Sequence, residues 1–483
     1  MLNGISSLKE GSKIYFIGIG GISMSGLAVL AQGFGFEVAG SDMNPSERTE
    51  SLKDKGITIY NTQVKENLIE FKPDYVVKTA AILPKNEEVK YSLDNGITLF
   101  DRSEFLGLIT RSFNNVINIS GTHGKTTTTA MTALMLMNSG LDPTVHLGAD
   151  FYEFNGTVRM GDNRDLFVSE ACEFKRSFLQ FSSTTAAITN VDHDHVDCYP
   201  LLSDVIDVFA EFLNKLSDGG NVVVTGSNEN TASSLRLALS NYEKSNRQPF
   251  NVYTCGLENE VCAFTGKAPD MMASNITYEN GLPQFDVSFK GENLGRVKLL
   301  IPGKHNIDNA LIALCCAYLN GAEPYKAIEA LNSYKGADGR FTIKGKYRGA
   351  EVVVDYAHHP AAARATLEAC EHIPHNNILV VFQPLTFDRT KKLFEDYVTS
   401  LLPCRKVLFA EIFSDREINT GEISSKNISD EINKRGGDSE FYADKKDLKN
   451  RIDELVEPGD IILILGPEDI RMLGDELTAG GTL

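Results

Sequence analysis

The chain has 483 residues, with 47 basic and 65 acidic side chains and a formal net charge of −18. Binding to a phosphate backbone relies on clustered Lys and Arg, so this balance excludes a general nucleic-acid-binding surface but leaves room for small anionic ligands. At roughly 100–200 residues per domain, the length predicts two to four domains. A hydrophobic content of 42% is typical of a globular protein.

Neither targeting nor membrane segments are evident in the sequence. Residues 1–13 lack the apolar stretch of a signal peptide, and no apolar run reaches the roughly 18 residues of a membrane helix. The eight cysteines are scattered, which argues against a disulfide framework or a zinc site. We therefore expect a cytoplasmic monomer or homodimer that inserts into no membrane and binds no nucleic acid.

The first part of the chain, residues 13–110, alternates short apolar runs with helical patterns. This alternation predicts β-α-β units and a parallel sheet, with a helix over Ser25–Gln32. The predicted strands are Lys13–Gly18, Phe36–Gly40, Tyr75–Thr79 and Thr98–Phe100.

Two further blocks follow, which gives three α/β domains in all. We place them at 1–112 (Rossmann-like), 113–335 (P-loop-type) and 336–483 (Rossmann-like). In the second block, strands are predicted at Val116–Ser120, Leu166–Ser169, Ala186–Asn190, Asn221–Thr225, Asn251–Tyr253 and Phe285–Phe289, with helices at Thr126–Ser139 and Ala310–Leu319. In the third block, the predicted strands are Glu351–Asp355, Asn377–Phe382, Lys406–Phe409 and Asp460–Leu465.

A glycine-rich segment, Gly18–Gly26, comes directly after the first strand. Glycines let the backbone approach a phosphate, and the next helix supplies free N–H groups. Asp42, about 20 residues further on, is placed to bind a ribose hydroxyl. Because Ser23 stands where a dinucleotide fingerprint has its third glycine, the segment indicates a nucleotide or diphosphate more than NAD. The alternative is a tight turn that binds nothing. The candidate ligand-binding residues are Gly18, Gly20, Gly21, Ser25 and Asp42.

A second glycine-bearing loop joins the Val116–Ser120 strand to a helix. This context and its Gly-Lys-Thr-Thr core are those of a P-loop, although Ile119 stands where a full Walker A motif has glycine. Lys125 would reach the terminal phosphates, and the Thr126 hydroxyl would ligate Mg²⁺. The candidate ATP-binding residues here are Gly121, Thr122, His123, Gly124, Lys125, Thr126 and Thr127.

Acidic and histidine-rich segments follow two later strands, at Glu170–Glu173 and Asn190–Asp197. The carboxyl ends of parallel strands line the ligand crevice of an open sheet, so these side chains are placed to hold Mg²⁺ beside ATP. The alternative for such an acid-rich loop is simple solvation.

Two more polar motifs lie in the C-terminal half. Pro302–Asn309 opens an apolar helix, where its Asn and Asp side chains either cap the helix or bind a ligand. Val354–Pro360 lies at the end of a strand and contains an Asp and two His. These residues form either a ligand site or a structural turn before the proline. Arg340 precedes this motif, and Gln383–Arg389 follows the next strand.

In their order and spacing, these motifs resemble those of the Mur ligase family over almost the whole chain. The resemblance implies that the first domain binds the UDP part of a substrate, the middle domain binds ATP, and the third brings in an amino acid and closes. It also implies a reaction in which ATP phosphorylates the lactyl carboxylate of UDP-N-acetylmuramate. The amine of L-alanine would then attack the acyl phosphate and expel phosphate.

The resemblance also implies roles for individual residues. Lys125, Glu170 and His195 would be catalytic. Lys125 and Thr126 would hold the phosphates and a first Mg²⁺, and Glu170 and His195 would hold a second metal ion. Glu173 is the weaker candidate of its pair. His305, Asn306, Asn309 and Asp355 would contact ATP. Arg340, Tyr356, His358 and Arg389 would contact the substrates.

Several positions of the third domain depart from the family pattern, which usually has His and often Arg where this chain has Leu385 and Thr386, and Thr-Glu where it has Ala361 and Ala362. A paralogous ligase for another amino acid or a recycled muropeptide therefore stays an alternative. Two further alternatives are a nicotinamide-dependent oxidoreductase, based on the Gly18–Asp42 region, and a catalytically silent nucleotide-binding regulator.

Overall fold

The computed structural model describes residues 4–414 and 417–479. Their contacts divide the chain into two compact units. The first comprises the residues up to Val191 together with 206–270 and 312–327, and the second comprises 192–205, 271–311 and the residues from Ile328 onward. Among the helices described, none is both long and apolar enough to cross a membrane. The predicted domain boundaries near 112 and 335 stay predictions.

The first unit begins with a parallel sheet of order β3-β2-β1-β4-β5. Its strands are β1 (Lys13–Ile17), β2 (Glu37–Ser41), β3 (Thr58–Tyr60), β4 (Tyr75–Lys78) and β5 (Thr98–Asp101). The helices between and after them are α1 (Ile22–Gly33), α2 (Glu47–Asp54), α3 (Lys65–Phe71), α4 (Glu87–Asp94) and α5 (Arg102–Thr110). The central strand β1 is fully buried from Ile14 to Ile17, because parallel strands joined by helices are covered on both faces. The predicted β-α-β alternation is confirmed here.

A second sheet in the same unit has the order β12-β11-β10-β6-β9-β7-β8. Its strands are β6 (Asn115–Ser120), β7 (Thr144–Phe151), β8 (Gly156–Arg159), β9 (Leu166–Glu170), β10 (Ser183–Ile188), β11 (Leu216–Thr225) and β12 (Asn251–Leu257). The helices of this stretch are α6 (Lys125–Asn138), α7 (Leu202–Leu213) and α8 (Glu229–Lys244). Strands β9 and β10 flank β6 in parallel, so their carboxyl ends and the loop after β6 share one edge. Strands β7 and β8, which pair antiparallel, were not predicted.

The second unit contains the antiparallel strands β13 (Met271–Glu279), β14 (Leu282–Phe289) and β15 (Glu292–Lys298). Helices α9 (Lys304–Leu319) and α10 (Pro324–Ser333) come next in the chain. Phe285–Phe289, the one strand predicted in this stretch, lies inside β14, and its polar neighbours β13 and β15 were missed.

The last sheet also lies in the second unit and has the order β16-β17-β21-β18-β19-β20. Its strands are β16 (Thr342–Tyr347), β17 (Ala350–Asp355), β18 (Ile378–Phe382), β19 (Lys406–Ala410), β20 (Ser439–Tyr442) and β21 (Ile461–Leu465). The helices are α11 (Pro360–Glu371), α12 (Phe387–Lys392), α13 (Phe394–Leu401), α14 (Ser425–Lys434), α15 (Lys445–Leu455) and α16 (Glu468–Thr478). Val353 packs into the core on one face, and Val352 and Val354 pack into the core on the other. Since both faces are covered, the inner strands β18 and β21 are continuous apolar runs. Strands β17, β18, β19 and β21 were predicted, whereas the more polar edge strands β16 and β20 were missed.

Candidate active site

The first glycine loop joins β1 to α1 through a tight, backbone-held turn. Gly18 has φ +79°, and a Cβ there would lie 2.8 Å from Thr79 Cγ2, so only glycine fits without strain. The Gly20 amide donates to Asp42 Oδ2 at 2.9 Å, and a Cβ at Gly20 would also meet that oxygen at 2.8 Å. Gly21 caps α1, leaving the amides of the first turn as free donors for an anion.

Two predicted ligand-binding residues of this loop are engaged with the protein itself. The Ser25 hydroxyl donates to the Ile22 carbonyl of its own helix at 2.9 Å. Asp42 also accepts from the Asn44 amide at 3.0 Å, so both carboxylate oxygens hold backbone. Contact of Ser25 or Asp42 with a ligand stays a prediction.

The second glycine loop joins β6 to α6 and is fixed from the neighbouring strand β10. The Thr122 amide donates to the Asn190 carbonyl, and the His123 amide donates to Asn190 Oδ1, each at 2.9 Å. Gly121 has φ +134°, and a Cβ there would lie 1.9 Å from Thr189 Oγ1. Gly124 is left-handed at φ +84° and caps α6.

Lys125 opens α6, and its ammonium group lies among oxygens. It donates to the carbonyls of Gly121 at 2.5 Å and Thr122 at 3.1 Å, and it pairs with Glu173 Oε2 at 3.0 Å. Burial opposes the charge on Lys125, but the carboxylates of Glu173 and Glu170 outweigh it and raise the pKa of the amine. Lys125 is therefore a fixed cation in the loop, held ready for a phosphate.

Glu170 lies at the end of β9 beside the first turn of α6. The Thr126 hydroxyl donates to Glu170 Oε2 at 2.8 Å, and the Gly148 amide donates to the same oxygen at 3.0 Å. A Cβ at Gly148 would lie 2.6 Å from that oxygen, so a glycine on β7 makes room for the carboxylate. Thr127, the other predicted residue of this turn, is buried in α6.

The adjacent oxygens of Thr126 and Glu170 fit a hard divalent cation such as Mg²⁺, which prefers hydroxyl and carboxylate ligands. His195, the third predicted ligand, belongs to the second unit. Its backbone is left-handed at φ +48°, and its amide donates to Asp194 Oδ1 at 2.6 Å. Such a conformation is costly for a non-glycine residue and is often found at functional sites.

In the second unit, Arg389 forms a buried ion pair with Asp194. Its Nε and one terminal nitrogen each lie 2.8 Å from Asp194 Oδ1, and both side chains are almost fully buried. Burial alone would raise the pKa of Asp194, but Arg389 and the histidines 195, 359 and 358 hold it well below its usual range. Arg389 was predicted to face substrate oxygens. In the structure, its positive charge is balanced by the Asp194 carboxylate.

The residues at the end of β17 come together as predicted. The Arg340 guanidinium lies 4.8 Å from the Tyr356 ring centroid, and the His358 ring meets that ring edge-on at 4.9 Å. Burial raises the pKa of Asp355, which accepts from the Thr366 hydroxyl at 2.9 Å. Burial, followed by the charge of Arg389, holds the pKa of His358 well below its usual value.

The polar residues at the start of α9 mainly stabilise that turn. Asn306 donates to the Pro302 carbonyl at 2.7 Å, and Asn309 donates to Asn306 Oδ1 at 3.0 Å. Gly303 is left-handed, and a Cβ there would lie 2.5 Å from His305 Cε1. These contacts agree with the capping interpretation, while contact of His305, Asn306 or Asn309 with adenine stays a prediction.

Sequence reasoning undervalued Glu173 and did not single out Asp194. Both are almost fully buried and each pairs with a cation at 3.0 Å or less, Glu173 with Lys125 and Asp194 with Arg389. The available signal was the acid-rich composition of the two strand-end segments, which does not tell which carboxylate turns inward.

Three family models match the chain in succession. The Mur ligase family catalytic domain matches residues 13–114, the Mur ligase middle domain matches 119–317, and the Mur ligase glutamate ligase domain matches 339–467. This succession agrees with the predicted three-domain α/β organisation.

Individual proteins match over nearly the whole chain. A UDP-N-acetylmuramate–L-alanine ligase of Clostridium botulinum is 39% identical over 470 residues, which is 97% of this chain and 98% of that protein. The crystal structure of UDP-N-acetylmuramate-alanine ligase from Thermotoga maritima superposes with a TM-score of 0.79 at 26% identity, covering 97% of this chain and 98% of that one. A murein peptide ligase of Psychrobacter arcticus, at 24% identity and a TM-score of 0.72, covers 98% of this chain and 100% of that one and shows the fold alone. The chain belongs to the Mur ligase family.

Proposed function

We propose that this chain is an ATP-dependent ligase that joins L-alanine to the lactyl carboxylate of UDP-N-acetylmuramate, in the synthesis of peptidoglycan precursors. The observation that carries the proposal is the 39% identity with an enzyme of that name over 97% of the chain. It is supported by the Lys125 ammonium group and by the oxygens of Thr126 and Glu170, which lie at the edge of the second sheet where β6 and β9 end. We place the enzyme in the cytoplasm, as a monomer or homodimer.

The reaction needs activation because a carboxylate is a poor electrophile. A lactyl carboxylate oxygen forms a bond to the γ-phosphorus of ATP, and ADP leaves. The neutral amine of alanine then attacks the acyl carbon of the acyl phosphate. The tetrahedral intermediate expels phosphate and loses the amine proton, which leaves an amide. Two anions must meet in the first step, so positive charge at the site lowers the barrier.

Lys125 supplies part of that charge. On ATP binding, its ammonium exchanges the Gly121 and Thr122 carbonyls for phosphate oxygens and keeps Glu173 as its counter-ion. Because Glu173 keeps Lys125 protonated and in place, little reorganisation accompanies phosphoryl transfer.

Thr126 would hold a first Mg²⁺ beside the phosphates, and Glu170 and His195 would hold a second metal ion. When bound, these ions would neutralise the negative charge that moves between the phosphate oxygens. In the second unit, we assign contact with ATP to His305, Asn306, Asn309 and Asp355. We assign substrate contact there to Arg340, Tyr356, His358 and Arg389.

The test is phosphate release with ATP, Mg²⁺ and UDP-N-acetylmuramate across the twenty amino acids, with mass analysis of the product. UDP-N-acetylmuramoyl-alanine, with alanine clearly preferred, is the expected result. Preference for another amino acid would favour the paralogous ligase, and ATP binding without product would favour the silent regulator. Turnover of a nicotinamide cofactor would favour the oxidoreductase.

A further inference from the structure

Arg102 is a partly buried cation that the assignments above leave without a role. It is the first residue of α5, and one of its terminal nitrogens donates to Ser23 Oγ at 3.0 Å. Across the part of the chain that the structure describes, no carboxylate lies within ion-pair distance of Arg102. Lys125 in the same unit differs, since Glu173 matches its charge at 3.0 Å.

Helix stability does not explain this arginine. The amino end of a helix carries partial positive charge, so a cation in its first turn is unfavourable. The neighbouring residues follow the favourable pattern: Glu104 Oε2 accepts from the Asp101 amide at 2.8 Å, which places acidic groups at the start of α5. Arg102 adds positive charge where the helix already supplies it.

A hydrogen-bonded chain connects Arg102 to the strand that carries Glu170. Ser23 accepts from Arg102 and lies 3.0 Å from His146 Nε2. His146 Nδ1 lies 3.5 Å from Ser169 Oγ, and that hydroxyl donates to the Glu170 carbonyl at 3.1 Å. Donors and acceptors match along the whole chain when His146 carries its proton on Nδ1.

His146 stays neutral within this chain. Burial, with the nearby Arg102 charge, lowers the pKa of His146 to about 3. The imidazole therefore orients Ser23 without adding a second charge that would compete for an anion. Burial also lowers the pKa of Arg102, and the Glu170 carboxylate opposes that effect.

We propose that Arg102 binds the lactyl carboxylate of the nucleotide-sugar substrate, oriented for this by Ser23 and His146. This inference rests on the proposed function. Arg102 bonds to the first turn after one glycine loop, and the hydrogen-bonded chain through Ser23 and His146 connects it to the strand end beside the other loop. A nucleotide sugar held at the first loop would present its acceptor to ATP between these two loops. A guanidinium matches a carboxylate in charge and in planar geometry, and its positive charge lets this anion approach the γ-phosphate.

The test compares two ligands that differ in the lactyl group. UDP-N-acetylmuramate carries the carboxylate, whereas UDP-N-acetylglucosamine lacks the lactyl ether. Calorimetric titration of the full chain with each ligand, without ATP, measures the preference for the carboxylate. In Arg102→Met we expect UDP-N-acetylmuramate to bind about 10- to 100-fold more weakly, the range for a lost charge-assisted contact, while UDP-N-acetylglucosamine changes less than about threefold. Arg102→Lys should restore part of the preference.

The matched control is Arg111→Met, at the other end of the same helix, where Arg111 donates to the Gln180 carbonyl at 2.9 Å. This variant should keep the ligand preference even if its unfolding temperature falls.

Two results for Arg102→Met would overturn the inference. An equal loss of affinity for both ligands would mean that Arg102 contacts the diphosphate or stabilises the fold. Unchanged affinity for both ligands would mean that Arg102 contacts neither of them. If Arg102→Met does not fold, Arg102→Lys and Ser23→Ala make the same comparison. Failure of the wild-type chain to bind UDP-N-acetylmuramate would instead count against the proposed function.

Discussion

The first unit contains two loops built to the same plan, and their differences indicate different tasks. Each follows a strand with parallel neighbours on both sides, turns on a left-handed glycine (Gly18 at φ +79°, Gly121 at φ +134°) and ends at a helix amino terminus. Beside the first loop, the acidic residue Asp42, which follows β2, accepts from the backbone amides of Gly20 and Asn44. In the second, Lys125 pairs with a buried glutamate, and Thr126 bonds to Glu170.

Both loops offer the backbone amides of a helix amino terminus to an anion, and the second adds the paired cation Lys125. Backbone amides hold a diphosphate that does not react. Transfer of a phosphoryl group also needs a cation that stays fixed while charge moves. We therefore assign the nucleotide sugar to the first loop and ATP to the second.

Removing the cation of the second loop should have the largest effect. In Lys125→Ala, the rate of phosphate release should fall by a factor on the order of 10³ or more, because transition-state charge loses its fixed partner. The rate is measured with ATP and UDP-N-acetylmuramate at saturation. Lys53→Ala, which removes a surface lysine paired with Glu50, should keep the wild-type rate. A Lys125→Ala rate within tenfold of wild type would remove the P-loop assignment.

His146, which bonds to the first turn after the first loop, should make stability depend on pH. Its native pKa of about 3 lies below the unfolded value, so the unfolded chain binds more protons as the pH falls. Stability is therefore lost from about pH 6.5 downward. Between pH 7 and pH 5 this loss amounts to about 2 kcal/mol.

Urea unfolding of the wild type and His146→Gln at pH 7 and pH 5 measures the contribution of His146 to the free energy of unfolding. The free energy of unfolding of the wild type, relative to the variant, should fall by about 2 kcal/mol at pH 5. His372→Gln, at an exposed position, should show no such change. Parallel pH dependence of the wild type and His146→Gln would contradict a neutral, buried His146.

Glu173→Gln keeps the shape of the counter-ion of Lys125 and removes its charge. We expect kcat to fall about tenfold, since a buried charge-assisted bond contributes roughly 1.5–3 kcal/mol and a neutral one less. Because Glu173 raises the pKa of Lys125, its removal should also move the alkaline limb of the pH–rate profile to lower pH. An unchanged profile would mean that Glu173 only packs against the loop.

The smallest effect is expected from Asp42→Asn, which changes the carboxylate that accepts from Gly20 of the first loop. The amide keeps one acceptor where the carboxylate had two, so one of the Gly20 and Asn44 bonds is lost. The Kd for UDP-N-acetylmuramate should rise about three- to tenfold, which corresponds to roughly 1 kcal/mol. The affinity for ATP should not change. A loss of ATP affinity in this variant would reverse the assignment of the two loops.

Local patterns in the sequence predicted much of this architecture. The predicted strand Lys13–Gly18 includes β1, and the helix Ser25–Gln32 lies inside α1, because apolar runs and glycines act over a few residues. Glu170 was also placed correctly at the end of β9. Strands β7 and β8 were missed, since their pairing depends on partners elsewhere in the sheet rather than on a strong apolar run.

The charged partners were harder to predict because they meet only in the folded chain. Ser23 and His146 are 123 residues apart in sequence, and Asp194 and Arg389 are 195 apart. Ser25 and Asn306 show the converse, since polar residues that suggested ligands bond to nearby backbone. Neither outcome follows from spacing alone.

The division of tasks between the two loops is tested most directly by titrating Asp42→Asn and Lys125→Ala with both ligands, a non-hydrolysable ATP analogue and UDP-N-acetylmuramate. We predict that Lys125→Ala weakens binding of the ATP analogue alone and that Asp42→Asn weakens binding of the nucleotide sugar alone. Loss of the same ligand in both variants, or the reverse pattern, would contradict it.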